Sequence, residues 1–569
     1  TAYGRGAAAY NAALKKGALS KSALNKIERI GSAIVLAIAA WFWLTYFNRN
    51  TNLLDEGSTA AQALRIINGD LIYRDFFTVV TPGSYYTVAW LFRIFGEQLM
   101  VLRWAALVTG LAIFVVSYLI ARRVSAWPFA AAAALMTTMW GWFLGTPNFY
   151  SLAGALFSLI ALFCYVHGAP SRRWMIFAGI ATGFTVLFKQ NTGAYTFAGL
   201  LITTWTSRLF DTENDWRGRM QMSAQIVLGI CIPVIPVLAW LIVSGAGPYL
   251  YESWVYYPLA KYPARFARPF PDFLPIGSDP FDLWIKLVIY MPVVVYPLAL
   301  IAIAWTSWRF QKHRDLPAKH EGHALLAIAV VGMFTLLQSW PRADVTHILF
   351  GLQPTFIVFG YLCYCIARAL SAIPGPRQPI ATVSLIVALI VALLPMLVLL
   401  RKGYQRTDWE YQNYIVGLRT DRGRGIFAGG LEAQRIDTVT KYITDHTAPD
   451  DPVFVVPWAS GFNFLTRRAN PTRIDFMLFE DPEAYPCLLA SLDRQPPKYV
   501  IYGYTWDVDD QHFRDYAAPV DQYIRSRYTI ESTTDGYEIW RRMEGLAAPG
   551  EFPRACQPRR FRLGDLWKR

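Results

Sequence analysis

Eleven apolar stretches, near 30-47, 98-120, 127-144, 148-167, 174-188, 194-210, 222-243, 282-306, 324-338, 347-367 and 380-400, constrain this chain of 569 residues more than anything else in it. About twenty apolar residues reach across a bilayer core as a helix. In lipid a helix satisfies its own backbone hydrogen bonds, so each stretch is read as a transmembrane helix. Only 17% of the residues are charged and 54% are hydrophobic, against roughly 25% charged in soluble domains, which indicates a multi-pass membrane protein with some soluble mass. The net charge of +14 would suit nucleic acid, but the basic residues gather in short loops between apolar runs. Arg122-Arg123, Arg172-Arg173, Arg208 to Arg219, Arg309 to Lys319 and Arg368 to Arg377 all fall on one side, together with Lys15, Lys16, Lys21, Lys26 and Arg29 of the leading tail. The positive-inside rule makes that side the cytoplasm, and no nucleic-acid partner is expected.

The expected organisation is therefore a basic cytoplasmic tail over 1-29 and a transmembrane domain over 30-400 with outer loops 48-97 and 244-281. An extracytoplasmic domain over 401-552 and a basic flexible tail over 553-569 follow, the whole lying in the cell inner membrane. The first apolar run is longer than a signal-peptide core and is read as a retained anchor. Beyond residue 400, "PVFVVP", "KYVIYG", "YTIEST" and "GYEIWRR" read as strands that alternate with helical stretches such as "LEAQRIDTVTKYITDH", which predicts a small α/β domain without a Gly-rich phosphate loop. Cys164, Cys231, Cys363 and Cys365 read as small core residues, whereas Cys487 and Cys556 are placed to form a disulfide in an oxidising compartment.

The outward loops hold the residues with chemistry. "NTNLLDEGST" places Asp55 and Glu56 directly after the first span, at the start of a helix that Asn68-Gly69 ends, with Asp55 as its expected N-cap. "DLIYRDFFTVVTP" carries Asp70, Arg74 and Asp75, and "GSYYTVAWLFRIFG" reads as a helix lying in the membrane interface. Lys189 and Arg342 are the only basic residues of the short outer loops, and "PRADVTH" sets Asp344 and His347 beside Arg342. The second long loop, "YESWVYYPLAKYPARFARPFPDF", mixes aromatic rings with Lys261, Arg265 and Arg268, equally suited to sugar and phosphate or to an interfacial aromatic belt.

Five stretches, "LLDEG", "YRDFFTVVTPGSYYTVAWLFRIFG", "LFKQNTG", "SWPRADVTHILFGLQP" and "PWASGFNFLTRRANPTR", together resemble the GT-C fold glycosyltransferases of membranes. The likeness is to bacterial members related to protein O-mannosyltransferases and to the lipid A aminoarabinose transferase. The resemblance implies a polytopic α-helical fold with a C-terminal extracytoplasmic α/β domain. It also implies a polyprenyl-phosphate-linked sugar as donor, membrane lipid as surroundings, and an envelope glycan, lipid or protein as acceptor.

Such a transfer needs a carboxylate to take the proton of the attacking hydroxyl and cations to hold the departing phosphate. Asp55 is the expected base, with Glu56 tuning it or orienting the acceptor and Asp75 as a further acid of the site. Lys189, Arg342 and Arg74 are the expected phosphate ligands, supported by Asp344 and His347. The plainer alternatives are a helix cap for Asp55, snorkelling anchors for Lys189 and Arg342, and a simple ion pair for Arg74 with Asp75. No metal is assigned, a divalent ion on Asp55 and Glu56 being the alternative. Two other functions compete: a lipid-linked sugar flippase, expected to carry charges at mid-span, and a non-catalytic scaffold with a membrane-complex partner.

Overall fold

The computed structural model describes residues 21-140, 149-210, 215-371, 378-477, 482-504 and 511-545, with 553 and 556. A helix lies at each of the eleven predicted stretches: α1 (Lys21–Tyr46), then, beyond the outer helices α2 (Asp55–Ile67) and α3 (Gly83–Phe95), α4 (Leu99–Ala121), α5 (Trp127–Met139), α6 (Phe149–Gly168), α7 (Arg172–Phe188), α8 (Gln190–Thr206), α9 (Trp216–Leu241), α10 (Met291–His313), α11 (Leu316–Leu336), α12 (Gln353–Ser371) and α13 (Gln378–Tyr411). Among the described residues, eight helical stretches are long and apolar enough to cross a membrane. Helices α5, α7 and α8, of 13, 17 and 17 residues, fall short of that length. Small side chains bring these helices close to their neighbours: Ala130 to Ala134 of α5 are all buried, and a Cβ on Gly179 of α7 would lie 2.8 Å from the Cα of Gly229 on α9. The outer surface is apolar, with Ile34, Val108, Ile235, Val293, Ile301 and Leu394 all exposed, as lipid rather than water requires.

Two boundaries differ from the sequence reading. The expected loop 244-281 is helical as far as Phe266, through π-type stretches at Ile242–Ala246 and Glu252–Lys261 and a left-handed Gly245 at φ 98°. The dense aromatic side chains there pack against the first outer stretch, as Trp254 does by donating to the Tyr73 hydroxyl at 2.8 Å. Helix α13 also runs on to Tyr411, because polar residues beyond Leu400 continue it after the apolar run ends.

Beyond it, β1 (Val453–Val456), β2 (Tyr499–Gly503), β3 (Tyr528–Thr534) and β4 (Tyr537–Arg542) form one sheet in the order β1-β2-β4-β3. The first pair is parallel and the others antiparallel. One sheet face packs on α14 (Gly430–His446) through Ile436, Val439 and Ile443. The other packs on Tyr485–Arg494 and Ala518–Arg527 through Leu488, Leu492 and Ile524. These strands and helices stand where the alternating pattern predicted them, and Cys487 is bonded to Cys556, their Cα atoms 5.2 Å apart. The first of the two cores continues without a break into α2 and α3, where Ala60, Leu64, Val88 and Phe92 join it. The α/β unit is thus seated on the outer helices by shared apolar burial.

Candidate active site

Helix α2 positions Asp55, though not by the expected capping. The Asn52 side-chain oxygen accepts the amides of Leu54 and Asp55 at 3.0 and 2.8 Å, so Asn52 performs the task assigned to Asp55. Asp55 is the first helical residue, and among the described residues its carboxylate accepts only a long contact from the Asn52 amide at 3.3 Å. Relieved of capping, it lines a cavity of about 230 Å³. Burial raises its proton affinity above the usual carboxylate range, against the opposing effects of the Asn52 contact and the charges of His347 and Arg342.

The seat of α2 is fixed by the α/β unit. A Cβ on Gly57 would lie 2.6 Å from the Cα of Gly461, so only glycine permits this approach. The Gly461 amide donates to the Leu53 carbonyl at 3.1 Å, and the Ser58 and Ser460 hydroxyls meet at 2.7 Å.

Glu56, one residue on, points elsewhere. It is 1% exposed and forms a two-pronged pair with the fully buried Arg103 of α4, which also donates to the carbonyls of Phe47, Arg49 and Asn50. Consecutive residues on a helix are 100° apart, so one adjacent carboxylate faces the cavity and the other faces α4. Glu56 therefore holds the α1-to-α2 turn, and both its oxygens are engaged by Arg103, so the pair does not converge on a divalent ion. Among the described residues no group of three or more His, Cys, Asp or Glu is arranged to hold a metal.

Asp75 and Arg74 also stand off the cavity. Their side chains pair at 2.6 to 2.9 Å, and Asp75 further accepts the Leu71 amide at 2.7 Å. The Arg74 and Leu71 bonds outweigh partial burial and hold Asp75 below its ordinary range. The pair closes the turn between α2 and α3, as the plainer reading had it, and neither residue lines the cavity.

Lys189 and Arg342 do line it. Lys189 occupies the break between α7 and α8, an extended residue at φ -151° that ends one helix and begins the next. It is 8% exposed and donates to the Ser151 hydroxyl and the Gln338 side-chain oxygen, both at 3.0 Å. Neither partner carries charge, and burial pushes the ammonium down to about 7, partly offset by Asp344. Arg342 donates to Asp344 at 2.7 Å, and Asp344 also accepts the ring and the backbone amide of His347 at 2.7 and 2.9 Å. Burial alone would raise Asp344, but the bonds to His347 and Arg342 prevail and keep it ionised. The backbone beside Arg342 is held by Arg268 of the second outer stretch, whose amide donates to Pro341 at 3.1 Å and whose carbonyl accepts from Ala343 at 3.1 Å.

Lining residues that went unread in the sequence include Gln338, which orients Lys189; Gln62, two helical turns beyond Asp55; and Asp475 of the α/β unit. Gln62 had a local signal, since it shares a helix face with Asp55 at seven residues' spacing. Asp475 had none, being brought in by tertiary packing: the Phe77 amide donates to the Arg473 carbonyl at 2.8 Å, and the Arg473 guanidinium donates to the Tyr73 carbonyl.

Residues 79-256 match the family model described as dolichyl-phosphate-mannose-protein mannosyltransferase. Among solved structures, apo ArnT from Cupriavidus metallidurans is similar at 16% identity with a TM-score of 0.55, over 91% of this chain and 99% of that one. The same protein bound to undecaprenyl phosphate is similar over the same shares at 16% identity and 0.51. The oligosaccharyltransferase AglB from Archaeoglobus fulgidus, in complex with an inhibitory peptide and a dolichol-phosphate, is similar at 15% identity and 0.50, over 91% of this chain and 75% of that one. No curated protein sequence matches the chain.

Proposed function

We propose that this chain, which has the GT-C fold of membrane glycosyltransferases, is an inverting glycosyltransferase moving a sugar from a polyprenyl-phosphate carrier to a hydroxyl of an envelope acceptor at the outer membrane face. One observation carries the reading: Asp55, free of capping, shares a single cavity with Lys189 and Arg342, the only Lys or Arg side chains among the described residues that line it. In the reaction the acceptor O–H gives its proton to Asp55 as its oxygen bonds to the anomeric carbon. The bond from that carbon to the carrier's phosphate oxygen breaks with its electron pair, and the new phosphate charge rests on Lys189 and Arg342. Burial strengthens both parts, since it makes Asp55 the stronger base and removes water that would screen the cations. Asp344 and His347 position Arg342, while Glu56 holds the turn into α2 and the Arg74–Asp75 pair closes the turn between α2 and α3.

The carrier match of ArnT supports a polyprenyl-phosphate donor, and the family match supports sugar transfer. Exposed Trp340 and Leu259 at the cavity edge give an isoprenoid tail an apolar approach from the bilayer. Basic loops on one side and the Cys487–Cys556 bond on the other support a cytoplasmic 1-29, a membrane domain over 30-400 and an extracytoplasmic domain beyond it. The test is transfer of radiolabelled sugar from a polyprenyl-phosphate sugar to cell-envelope extract by protein in liposomes, with Asp55→Asn as comparison. A loss on the order of 10² or more in the variant is expected from removal of a general base. Transfer unchanged by the substitution would refute the assignment.

A further inference from the structure

Helix α2 presents Asp55, Ser58, Thr59 and Gln62 to the cavity, the i, i+3, i+4, i+7 pattern of a single helix face. Seven residues at 1.5 Å rise carry this polar stripe about 10 Å from Asp55 to Gln62. Its far end meets Asp475, and the two form a pair of a different kind from the cationic end of the cavity. The Gln62 amide nitrogen donates to Asp475 Oδ2 at 3.3 Å, while the Gln62 oxygen, on a side chain only 6% exposed, has no hydrogen-bond partner among the described residues. Asp475 is 3% exposed, and its Oδ1 accepts from Asn470 at 3.0 Å and Arg65 at 3.4 Å. Those bonds engage Oδ1 and leave lone-pair capacity on Oδ2.

Burying an amide oxygen without a partner is costly, so its persistence on a residue that lines the cavity points to a ligand that donates to it. The donors wanted are hydroxyls, because a phosphate would meet like charge at Asp475. The charges of Arg342 and His347 act on Asp55, at the near end of the stripe. In an in-line displacement the acceptor enters opposite the phosphate, leaving its body over the remote end of the stripe.

We infer that Gln62 and Asp475 form a hydroxyl-binding subsite that seats a sugar ring of the acceptor two helical turns from Asp55. The acceptor is thus a glycan or glycolipid, and the α/β unit supplies one of its ligands. This rests on the transferase reading above, but its test is separable from that reading. Protein in lipid nanodiscs is loaded with undecaprenyl phosphate, and saturation-transfer NMR then follows methyl α-D-mannopyranoside and methyl α-D-arabinofuranoside. The expected result is saturation of ring protons of at least one glycoside by the native protein. It should fall at least fivefold in both Gln62→Met and Asp475→Asn, with undecaprenyl phosphate affinity changed less than twofold and unchanged melting temperature for Gln62→Met. Saturation that is absent in the native protein, or equal in native protein and Gln62→Met, overturns the subsite. Loss of undecaprenyl phosphate affinity in parallel with the glycoside signal overturns it as well, because the stripe would then serve the donor. Glycoside contact that depends on Gln62, in a protein with no affinity for undecaprenyl phosphate, would sustain the subsite and sink the transferase reading instead.

Discussion

If Lys189 grips the carrier phosphate as proposed, its depressed proton affinity should make carrier binding dependent on pH in a window where an ordinary lysine is silent. With the ammonium pushed down to about 7, the free site is about three-quarters protonated at pH 6.5 and about 3% protonated at pH 8.5, whereas a lysine of ordinary pKa stays almost wholly protonated across this range. If the ammonium form holds phosphate, binding must pull a proton back onto Lys189 as pH rises. The bound pKa then lies above the free one, and affinity falls with rising pH. Between pH 6.5 and 8.5 the ratio of protonated fractions gives a weakening of about 25-fold, or about 2 kcal/mol, for undecaprenyl phosphate. Below pH 6.5 the second ionisation of the phosphate, near 6, acts with the opposite sign, so the window above it isolates the lysine. The assay is titration of undecaprenyl phosphate into protein in nanodiscs at half-unit steps of pH, followed by intrinsic fluorescence or native mass spectrometry. Lys189→Met should bind weakly with no slope above pH 6.5. A flat native profile, or the native slope surviving in Lys189→Met, would refute the reasoning that a buried, neutral-ligated lysine grips the phosphate.

Further outcomes follow from the packing and the ion pairs. Gly57→Ala places a methyl 2.6 Å from the Gly461 Cα, about 0.8 Å inside ordinary contact; overpacking of this kind costs about 1 to 3 kcal/mol, visible as a lower melting temperature. The displaced Asp55 should lower transfer by up to roughly 100-fold, and full activity in a folded variant would show that the α/β unit does not set Asp55. Arg103→Met leaves the Glu56 carboxylate buried without its cation and should cost about 3 to 5 kcal/mol, whereas Arg103→Met combined with Glu56→Gln should recover much of it by differential scanning fluorimetry. Arg74→Gln, which breaks a partly exposed pair, should change stability by less than about 1 kcal/mol and leave undecaprenyl phosphate affinity within twofold, a tenfold loss meaning that Arg74 reaches the phosphate after all. On the acid side, Asp55 must be ionised to accept a proton, so transfer should fall as pH drops through a pKa above the usual carboxylate range. The falling limb should be absent in Asp55→Asn, whose residual rate should be flat there.

The chain's apolar runs and strand alternation determined its architecture, because the bilayer allows a run of twenty apolar residues almost no alternative to a helix. Local pattern also assigned Asp55, Lys189 and Arg342 to segments expected on one side of the membrane, and tertiary structure placed them around one cavity. What local pattern could not decide was which polar neighbours work together. Asp55 and Glu56 are adjacent in sequence yet serve different walls, since a helix turns 100° between them and α4 offers Arg103 to only one. The cap expected of Asp55 fell to Asn52, a choice set by how the chain leaves α1. Arg74 and Asp75, chemically suited to the site, neutralise each other in a turn. Gln338 and Asp475, separated from Asp55 by hundreds of residues, reach the cavity because loops return there, and Gly57 and Gly461 let two backbones touch. Sequence fixes which segments must be buried in lipid through transfer free energy, which is a property of each segment alone. Which side chains converge on one volume is a property of the closed packing of all of them, and it exists only once the outer helices and the α/β unit share a core.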